Sequence, residues 1–211
     1  IGMDYETFTI GFARRSASYK RADLVFFDTS RLIEIAQNAG KMQFIFSGKA
    51  HPQDWPGKEL IKNIITISEQ LKDHIKVAYL EDYNMELAKM LVSGVDLWLN
   101  TPRKPQEASG TSGMKASHNG VPSLSILDGW WIEGCIEDIT GWAIGSSQDS
   151  ESSDQLDANA LYDKLEFTIA RTFYVNRDNW INIMRHAIAI NSSFFNTHRM
   201  VQQYVLNSYL V

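Results

Sequence analysis

Short apolar runs alternate with longer segments of helix-like spacing along the first half of the chain. The runs predict β-strands, and the longer segments predict α-helices. Strands are predicted at 7–13, 42–46, 75–80 and 95–100, and helices at 22–39, 60–71 and 84–92. Such alternation is typical of a parallel, doubly wound sheet, so an α/β fold of the Rossmann-like kind is expected.

A polar break separates this half from a helical tail. Residues 145–157 are rich in Ser, Asp and Gln, which predicts an exposed loop. Beyond the break, apolar side chains recur every four residues on one predicted helix face: Leu161, Leu165, Ile169 and Phe173. We expect a Rossmann-like core at 1–145, an exposed loop at 146–157 and a helical tail at 158–211 that packs on the core, all within one domain.

Composition narrows the function classes. The formal net charge is −5 and the cations are scattered, so a nucleic-acid partner is disfavoured. No apolar stretch is long enough for a membrane span, and a soluble, membrane-independent protein is expected. Cys135 is the only cysteine, which fits a reducing cytoplasm, and the five histidines lack paired spacing, so no metal site is expected. The chain opens without an initiator methionine, so we expect a piece of a longer polypeptide.

The segments that follow the predicted strands are where a ligand is expected, because open parallel sheets bind ligands outside the carboxyl ends of their strands. They are 14–21, 47–56, 81–83 and 101–113. The last leads into a predicted helix at 114–118 and is rich in glycine and hydroxyl residues, namely Ser109, Gly110, Thr111, Ser112 and Gly113. Such a turn can form a nest of backbone N–H groups for phosphate, and Lys115 beside it can form a Schiff base. An ordinary helix cap has the same composition, and the residues alone leave both interpretations open.

Three of these segments carry a family resemblance. Residues 107–115, EASGTSGMK, resemble the cofactor-lysine signature of the glycogen, starch and maltodextrin phosphorylases. Residues 14–21, RRSASYKR, are similar to the basic phosphate motif of that α-glucan phosphorylase family, and 81–83, EDY, are similar to its next active-site segment. Residues 128–134, DGWWIEG, look more like the shorter bacterial and archaeal members than the long animal enzymes.

The resemblance implies the C-terminal half of a two-domain GT-B glycosyltransferase, with a C-terminal helical segment. In this family inorganic phosphate takes the terminal glucose of an α-1,4-glucan and gives glucose 1-phosphate. The 5′-phosphate of pyridoxal phosphate exchanges a proton with the substrate phosphate. The N-terminal domain of the same polypeptide would complete the cleft, so these 211 residues are expected to fold alone without catalysis. An oligomer is left open.

The resemblance also implies roles for individual residues. Lys115 would bind the cofactor covalently, and Arg15 and Lys20 would bind the substrate phosphate; these three are the expected catalytic residues. Glu107 would bind glucose hydroxyls together with the N–H groups of Ser109 and Gly110. The expected cofactor contacts besides Lys115 are Gly110, Thr111, Ser112 and Tyr83. For Tyr83 an ordinary core aromatic is the alternative, as it is for Trp130 and Trp131, which could otherwise stack on sugar.

Some positions depart from the family pattern or are interpreted structurally. Ala17 stands where many members have histidine, Asn84 where many have arginine, and Gly113 where many have asparagine. Contacts to phosphate and cofactor at those positions are therefore not carried over.

Arg14 and Arg21 are interpreted as a solvated basic stretch that caps the first helix.

Two other functions stay open at this point. A nucleotide-sugar glycosyltransferase such as a glycogen synthase shares the architecture and also uses a glutamate before a helix. Lys115, eight positions after Glu107, separates the two, because synthase-like enzymes tend to have a second acidic residue there. The other alternative is a non-catalytic binding module that retains only the fold.

Overall fold

A computed structural model describes residues 2–145 and 153–210. It contains one six-stranded sheet in which all the strand pairs are parallel. The strands are β1 (Phe8–Ala13), β2 (Met42–Ser47), β3 (Lys76–Leu80), β4 (Leu97–Asn100), β5 (Ser123–Ile126) and β6 (Gly141–Ile144). Their order is β3-β2-β1-β4-β5-β6, with β1 and β4 adjacent where the winding reverses. The predicted doubly wound α/β sheet is confirmed.

Helices connect the strands and form the tail. The α-helices are α1 (Thr29–Asn38), α2 (Trp55–Leu71), α3 (Met85–Gly94), α4 (Thr111–His118), α5 (Trp131–Gly134), α6 (Asp154–Lys164), α7 (Ala170–Val175), α8 (Arg177–His186) and α9 (Thr197–Tyr204). Short 3₁₀ turns lie at Ser18–Lys20 and Leu24–Phe26, and π-helical segments lie at Leu165–Ile169, Ala187–Ser192 and Val205–Tyr209. Among the described residues, none of the helices has the length and apolar character needed to cross a membrane.

The tail packs on the sheet through the apolar face that the sequence predicted. Leu161, Leu165, Ile169 and Phe173 are all buried in the same cluster as the strands. Trp180 of α8 stacks on Trp142 of β6 at a centroid distance of 5.7 Å. Burial of such large side chains is the main favourable contribution to folding, and it fixes the tail against one face of the sheet.

Several helix boundaries differ from the predicted ones because capping residues determine them. The helix predicted at 22–39 is a 3₁₀ turn followed by α1, since Asp28 has an extended backbone and its carboxylate accepts from the Arg31 N–H. The helix α2 begins five residues before the predicted start, because Asp54 caps it and a proline occupies its first turn.

The predicted loop at 146–157 is wrong at its carboxyl end. Residues 146–152 lie outside the described part of the chain. The helix α6 begins at Asp154, where the Ser153 hydroxyl accepts from the Leu156 N–H at 3.5 Å. Asp157, predicted to be exposed, is buried. The polar composition here reflects a helix start as well as a loop.

Candidate functional site

The first side chain after β1 joins three elements at the carboxyl edge of the sheet. Arg14 donates from Nη1 to Asn100 Oδ1 at 2.9 Å and from Nη2 to Glu107 Oε2 at 2.7 Å. It can reach both because β1 and β4 are neighbours at the reversal of the sheet, where ligands of such folds bind. Burial lowers the pKa of the Arg14 guanidinium, and the adjacent Glu107 carboxylate opposes this shift.

Glu107 receives a second cation from the same loop. The Lys20 ammonium contacts Glu107 Oε2, and its side chain is as buried as those of its partners. Lys20 also lies over the Tyr19 ring, 4.4 Å from the centroid. Two cations therefore converge on a single carboxylate, and the exposed Arg15 adds a third cation in the same loop, so this edge of the sheet suits an anionic ligand.

The loop that carries Glu107 is fixed from the other side by the segment after β5. The Glu107 N–H donates to Asp128 Oδ2 at 2.8 Å, and the Trp130 N–H donates to the Ser109 carbonyl at 2.9 Å. Gly129 has a φ of 56°, and a Cβ there would lie 2.4 Å from the Ser109 carbonyl oxygen. Only glycine permits this close approach.

The glycine-rich turn leads into α4 without a side-chain cap. Gly110 occupies the N-cap position with a φ of 87°, and no side chain accepts from the first turn of the helix. The N–H groups of that turn are therefore available to an anion, and the helix dipole reinforces the attraction. Lys115 lies on α4, exposed and without an ion pair to any described residue.

The turn packs tightly against two indole rings. The Trp98 Nε1 donates to the Ser112 hydroxyl at 3.3 Å. A Cβ at Gly113 would lie 2.8 Å from the Trp130 ring, so glycine allows the indole to pack directly on α4. This contact gives a structural reason for glycine at position 113. Trp130 and Trp131 are both buried. Their position therefore fits ordinary core aromatics, the alternative to stacking on sugar.

The remaining predicted site residues differ in exposure. Arg15, Ser109 and Thr111 are exposed, and Arg15 makes no ion pair within the described residues. Tyr83 is half-buried against the smaller apolar cluster, and its hydroxyl lies 3.5 Å from the Ala13 carbonyl. Burial raises the pKa of the Tyr83 phenol, and the Arg14 charge opposes this shift. Tyr83 thus lies beside the cation cluster while it packs against the core.

The interpretation of Arg14 and Arg21 as a solvated basic stretch is wrong. Arg14 is part of the cluster described above, and Arg21 is buried with the Thr101 and Pro102 carbonyls as acceptors. Two further members of the site were missed, Asn100 and Asp128. Their signal is a polar residue at or just after the carboxyl end of an apolar strand. The described residues contain no group of three or more metal-binding side chains.

Comparison with known proteins assigns the chain to a family. The family profile described as carbohydrate phosphorylase matches residues 8–143. The chain belongs to the carbohydrate phosphorylase family. The family predicted from the sequence motifs is confirmed, and the matched residues include every predicted site residue.

Phosphorylases from an archaeon and a bacterium are similar to nearly the whole chain. It is 45% identical over 207 residues to a maltodextrin phosphorylase of Thermococcus litoralis, covering 96% of this chain and 25% of the relative. It is 42% identical over 213 residues to a glycogen phosphorylase of Aquifex aeolicus, covering 98% of this chain and 31% of the relative. The chain thus spans a quarter to a third of the length of these phosphorylases.

A solved structure supports the fold independently. The chain superimposes with a TM-score of 0.72 on Anabaena Alr3699/HepE, which was solved in complex with UDP and glucose. The similarity covers 98% of this chain and 49% of that chain at 19% identity. At this identity the likeness establishes a shared fold between this phosphorylase-family chain and HepE.

Proposed function

We propose that this chain is the phosphate- and pyridoxal-phosphate-binding part of an α-1,4-glucan phosphorylase. The complete enzyme would transfer the terminal glucose of a glucan to inorganic phosphate and release glucose 1-phosphate. One observation carries the proposal: in a chain of this family, Arg14, Lys20 and Glu107 meet at the carboxyl edge of the sheet, on the loop that leads into α4, the helix that bears Lys115. The similarity to a maltodextrin phosphorylase and a glycogen phosphorylase supports the substrate class.

The basic loop would bind and orient the attacking phosphate. Two unit charges about 4 Å apart interact by ~4 kcal/mol at an effective dielectric near 20, so two neighbouring phosphates need cations between them. The exposed Arg15 can grip phosphate oxygens with its planar fork, and Lys20 adds a point charge from the protein side. These cations would place the phosphate oxygen for attack on the glucose carbon.

Glu107 would bind the glucose. A carboxylate accepts hydrogen bonds from two neighbouring hydroxyls, and the N–H groups of Ser109 and Gly110 offer donors on the same loop. Because Glu107 is already fixed by Arg14 and Asp128, the sugar meets an oriented acceptor rather than a mobile side chain. Glucose and phosphate would then share one charge cluster, which holds them next to each other.

The turn before α4 fits pyridoxal phosphate. Lys115 is exposed and has no ion pair to a described residue, the first turn of α4 offers N–H donors near Thr111 and Ser112, and Tyr83 lies beside the cluster. The Arg14 Nε is buried without a hydrogen-bond partner among the described residues, and such an unsatisfied donor beside the turn fits an anionic ligand. Lys115 would hold the cofactor covalently, and the bound cofactor would supply a 5′-phosphate for proton exchange with the substrate phosphate.

The alternative of a nucleotide-sugar glycosyltransferase has the fold of HepE in its favour. That fold serves many functions, so the residues of the site have to decide between them. Lys115 on α4 favours the phosphorylase; it lies in the last turn of the helix, because α4 begins at Thr111 and not at the predicted residue 114. We assign the enzyme to the cytoplasm, which suits the single, partly buried Cys135 with a thiol pKa that burial raises to about 12.

The test uses the complete polypeptide encoded by the gene, supplied with maltodextrin, phosphate and pyridoxal phosphate. We expect glucose 1-phosphate release, and borohydride reduction followed by peptide mapping should locate the pyridoxyl group on Lys115. Label on Lys20 or Lys49 instead would contradict the assignment, and so would turnover with UDP-glucose alone. The 211-residue chain by itself should unfold cooperatively but release no glucose 1-phosphate, because its cleft lacks a facing half.

A further inference from the structure

Arg21 is the most completely enclosed cation of the basic loop. Its residue is 4% exposed, and its backbone adopts the left-handed conformation at a φ of 46°. The Nε donates to the Thr101 carbonyl and Nη2 donates to the Pro102 carbonyl, each at 2.9 Å. A buried charge is tolerated only when its donors are satisfied, and here the acceptors come from the segment after β4.

Backbone contacts join the same two segments. The Thr101 hydroxyl lies 3.1 Å from the Lys20 carbonyl and 2.9 Å from the Arg21 carbonyl. The Arg103 N–H donates to the Tyr19 carbonyl at 2.6 Å. The turn that carries Lys20 is thus fixed to the start of the loop that carries Glu107.

The helical tail completes the network. Arg21 Nη1 donates to Asp154 Oδ1 at 2.8 Å, and Arg103 contacts the same carboxylate. Arg21 Nη2 lies 2.7 Å from Asp157 Oδ2 in an ion pair without hydrogen-bond alignment. Among the described residues, the carboxylates of Asp154 and Asp157 pair with the guanidinium groups of Arg21 and Arg103, so α6 offsets part of the cost of burying Arg21.

We propose that Arg21 is a positioning residue for phosphate binding, which acts through Lys20 and is fixed by Asp154 and Asp157. This inference rests on the proposed function. Arg21 touches neither Glu107 nor the exposed face of the loop, yet it sets the separation of the two segments whose side chains meet in the site. Displacement of a binding group by about 1 Å can cost on the order of 100-fold in rate, so this separation matters to the phosphate.

The chemistry of the network requires arginine at this position. A guanidinium donates in several directions within one plane, here to two carbonyls and to Asp154, and its charge pairs with Asp157 as well, whereas an ammonium has one compact charge. Arg21→Lys therefore keeps the charge but loses the simultaneous contacts. Asp154→Asn is milder, because the Asp154 side chain is 43% exposed and its removal leaves Asp157 in place. It provides a variant that folds even if Arg21→Lys does not.

The experiment compares these variants in the complete polypeptide with Arg31→Gln as the matched control. Arg31 also pairs α1 with the tail, through Glu166, but it contacts neither of the two loops. Three quantities are measured: the KM for phosphate, the KM for maltodextrin, and the Kd of inorganic phosphate by calorimetry. Thermal unfolding is followed in parallel, and all assays are run well below the lowest Tm.

We expect Arg21→Lys to raise the phosphate KM and Kd by roughly tenfold or more, and Asp154→Asn to raise them less. The maltodextrin KM should stay unchanged in both. Arg31→Gln should lower the Tm without changing the phosphate Kd. A purely structural role predicts a lower Tm with wild-type phosphate Kd in both site variants, and that result overturns the proposal. If Arg21→Lys does not fold, Asp154→Asn decides alone.

Failure of the proposed function can be distinguished from failure of the proposal for Arg21. A wild-type enzyme that binds phosphate but releases no glucose 1-phosphate contradicts the phosphorylase assignment, while the calorimetric comparison still tests Arg21. A wild-type enzyme that neither binds phosphate nor turns over contradicts both.

Discussion

The loop after β1 and the turn before α4 lie side by side at one edge of the sheet but are built in opposite ways. In the first, Arg14 and Lys20 are buried and paired with Glu107. In the second, Lys115 is exposed without an ion pair to any described residue, and the N-terminus of its helix has no side-chain cap.

The difference separates two kinds of binding group. Cations that must orient a small anion gain from being fixed in advance, because less ordering is left for the moment of binding. A lysine that binds covalently needs access and an unpaired amine, and its neighbours supply backbone donors instead. The protein therefore places the energetic cost of buried charge in the loop that we propose binds phosphate and leaves the proposed cofactor lysine exposed.

The largest expected effect tests this contrast in stability. Arg14→Ala removes one of two cations from the buried Glu107 and leaves Asn100 without its partner. We expect a loss of about 3 kcal/mol in the free energy of unfolding, measured by urea denaturation. Lys115→Ala, the control on the other side, should change it by no more than about 0.5 kcal/mol. Equal losses in the free energy of unfolding from the two substitutions would show that the buried cation and the exposed lysine do not differ in their contribution to stability.

The second prediction concerns the glycine that fixes the turn. Gly129→Ala forces a side chain into a left-handed conformation against the Ser109 carbonyl, and it should cost roughly 1–3 kcal/mol and weaken cofactor retention. Gly94→Ala at the end of α3 is the matched control, since a Cβ there meets nothing within 4 Å. That substitution should be neutral or stabilising. Cofactor retention is read from absorbance after dialysis, and unchanged retention in Gly129→Ala would argue that the turn can shift freely.

The third prediction concerns the exposed cation of the basic loop. Arg15→Ala should raise the KM for phosphate roughly tenfold, which corresponds to about 1.4 kcal/mol for a charged hydrogen bond. Arg15→Lys should raise it less, because lysine keeps the charge and loses only the fork. Stability should not change, since Arg15 is exposed. The KM for phosphate is measured by steady-state kinetics in the complete enzyme. An unchanged value in Arg15→Ala would show that Arg15 does not bind the phosphate.

The smallest expected effect is a pH dependence on the β1 side. Burial by itself would raise the pKa of the Asp154 carboxyl. Hydrogen bonds from Arg21 and Arg103 outweigh this effect and hold the pKa of Asp154 below its ordinary value. A lowered folded-state pKa stabilises the protein above the unfolded pKa, and this stability is lost as the pH falls through the folded value. The loss should therefore appear below about pH 4 and amount to less than about 1 kcal/mol, because the carboxylate is partly exposed.

Urea unfolding across this acidic range provides the measurement. The curves of wild type and Asp154→Asn should converge as the pH falls, whereas Lys115→Ala, which removes no carboxylate, should run parallel to wild type. A constant gap between wild type and Asp154→Asn would mean that Asp154 does not contribute through its charge.

The alternation of strands and helices, the order of the motifs and the turn before α4 could all be predicted from the sequence alone. These features are local: apolar periodicity and glycine at a tight turn are visible within a few neighbouring residues. The roles proposed for Lys115 and Glu107 came from the family resemblance of residues 107–115 and stay predictions. The start of α6 was misplaced because Ser153 and Asp154 are as common in loops as in caps.

The burial and the hydrogen-bond partners of Arg14 and Arg21 could not be predicted from the sequence. Both read as solvated in a row of basic residues, and their partners are far along the chain: Glu107 is 93 positions from Arg14, and Asp154 is 133 positions from Arg21. Whether an arginine is buried depends on which acceptors the topology brings to it. Here the pairing of β1 with β4 and the packing of α6 supply them, and no local pattern contains that information.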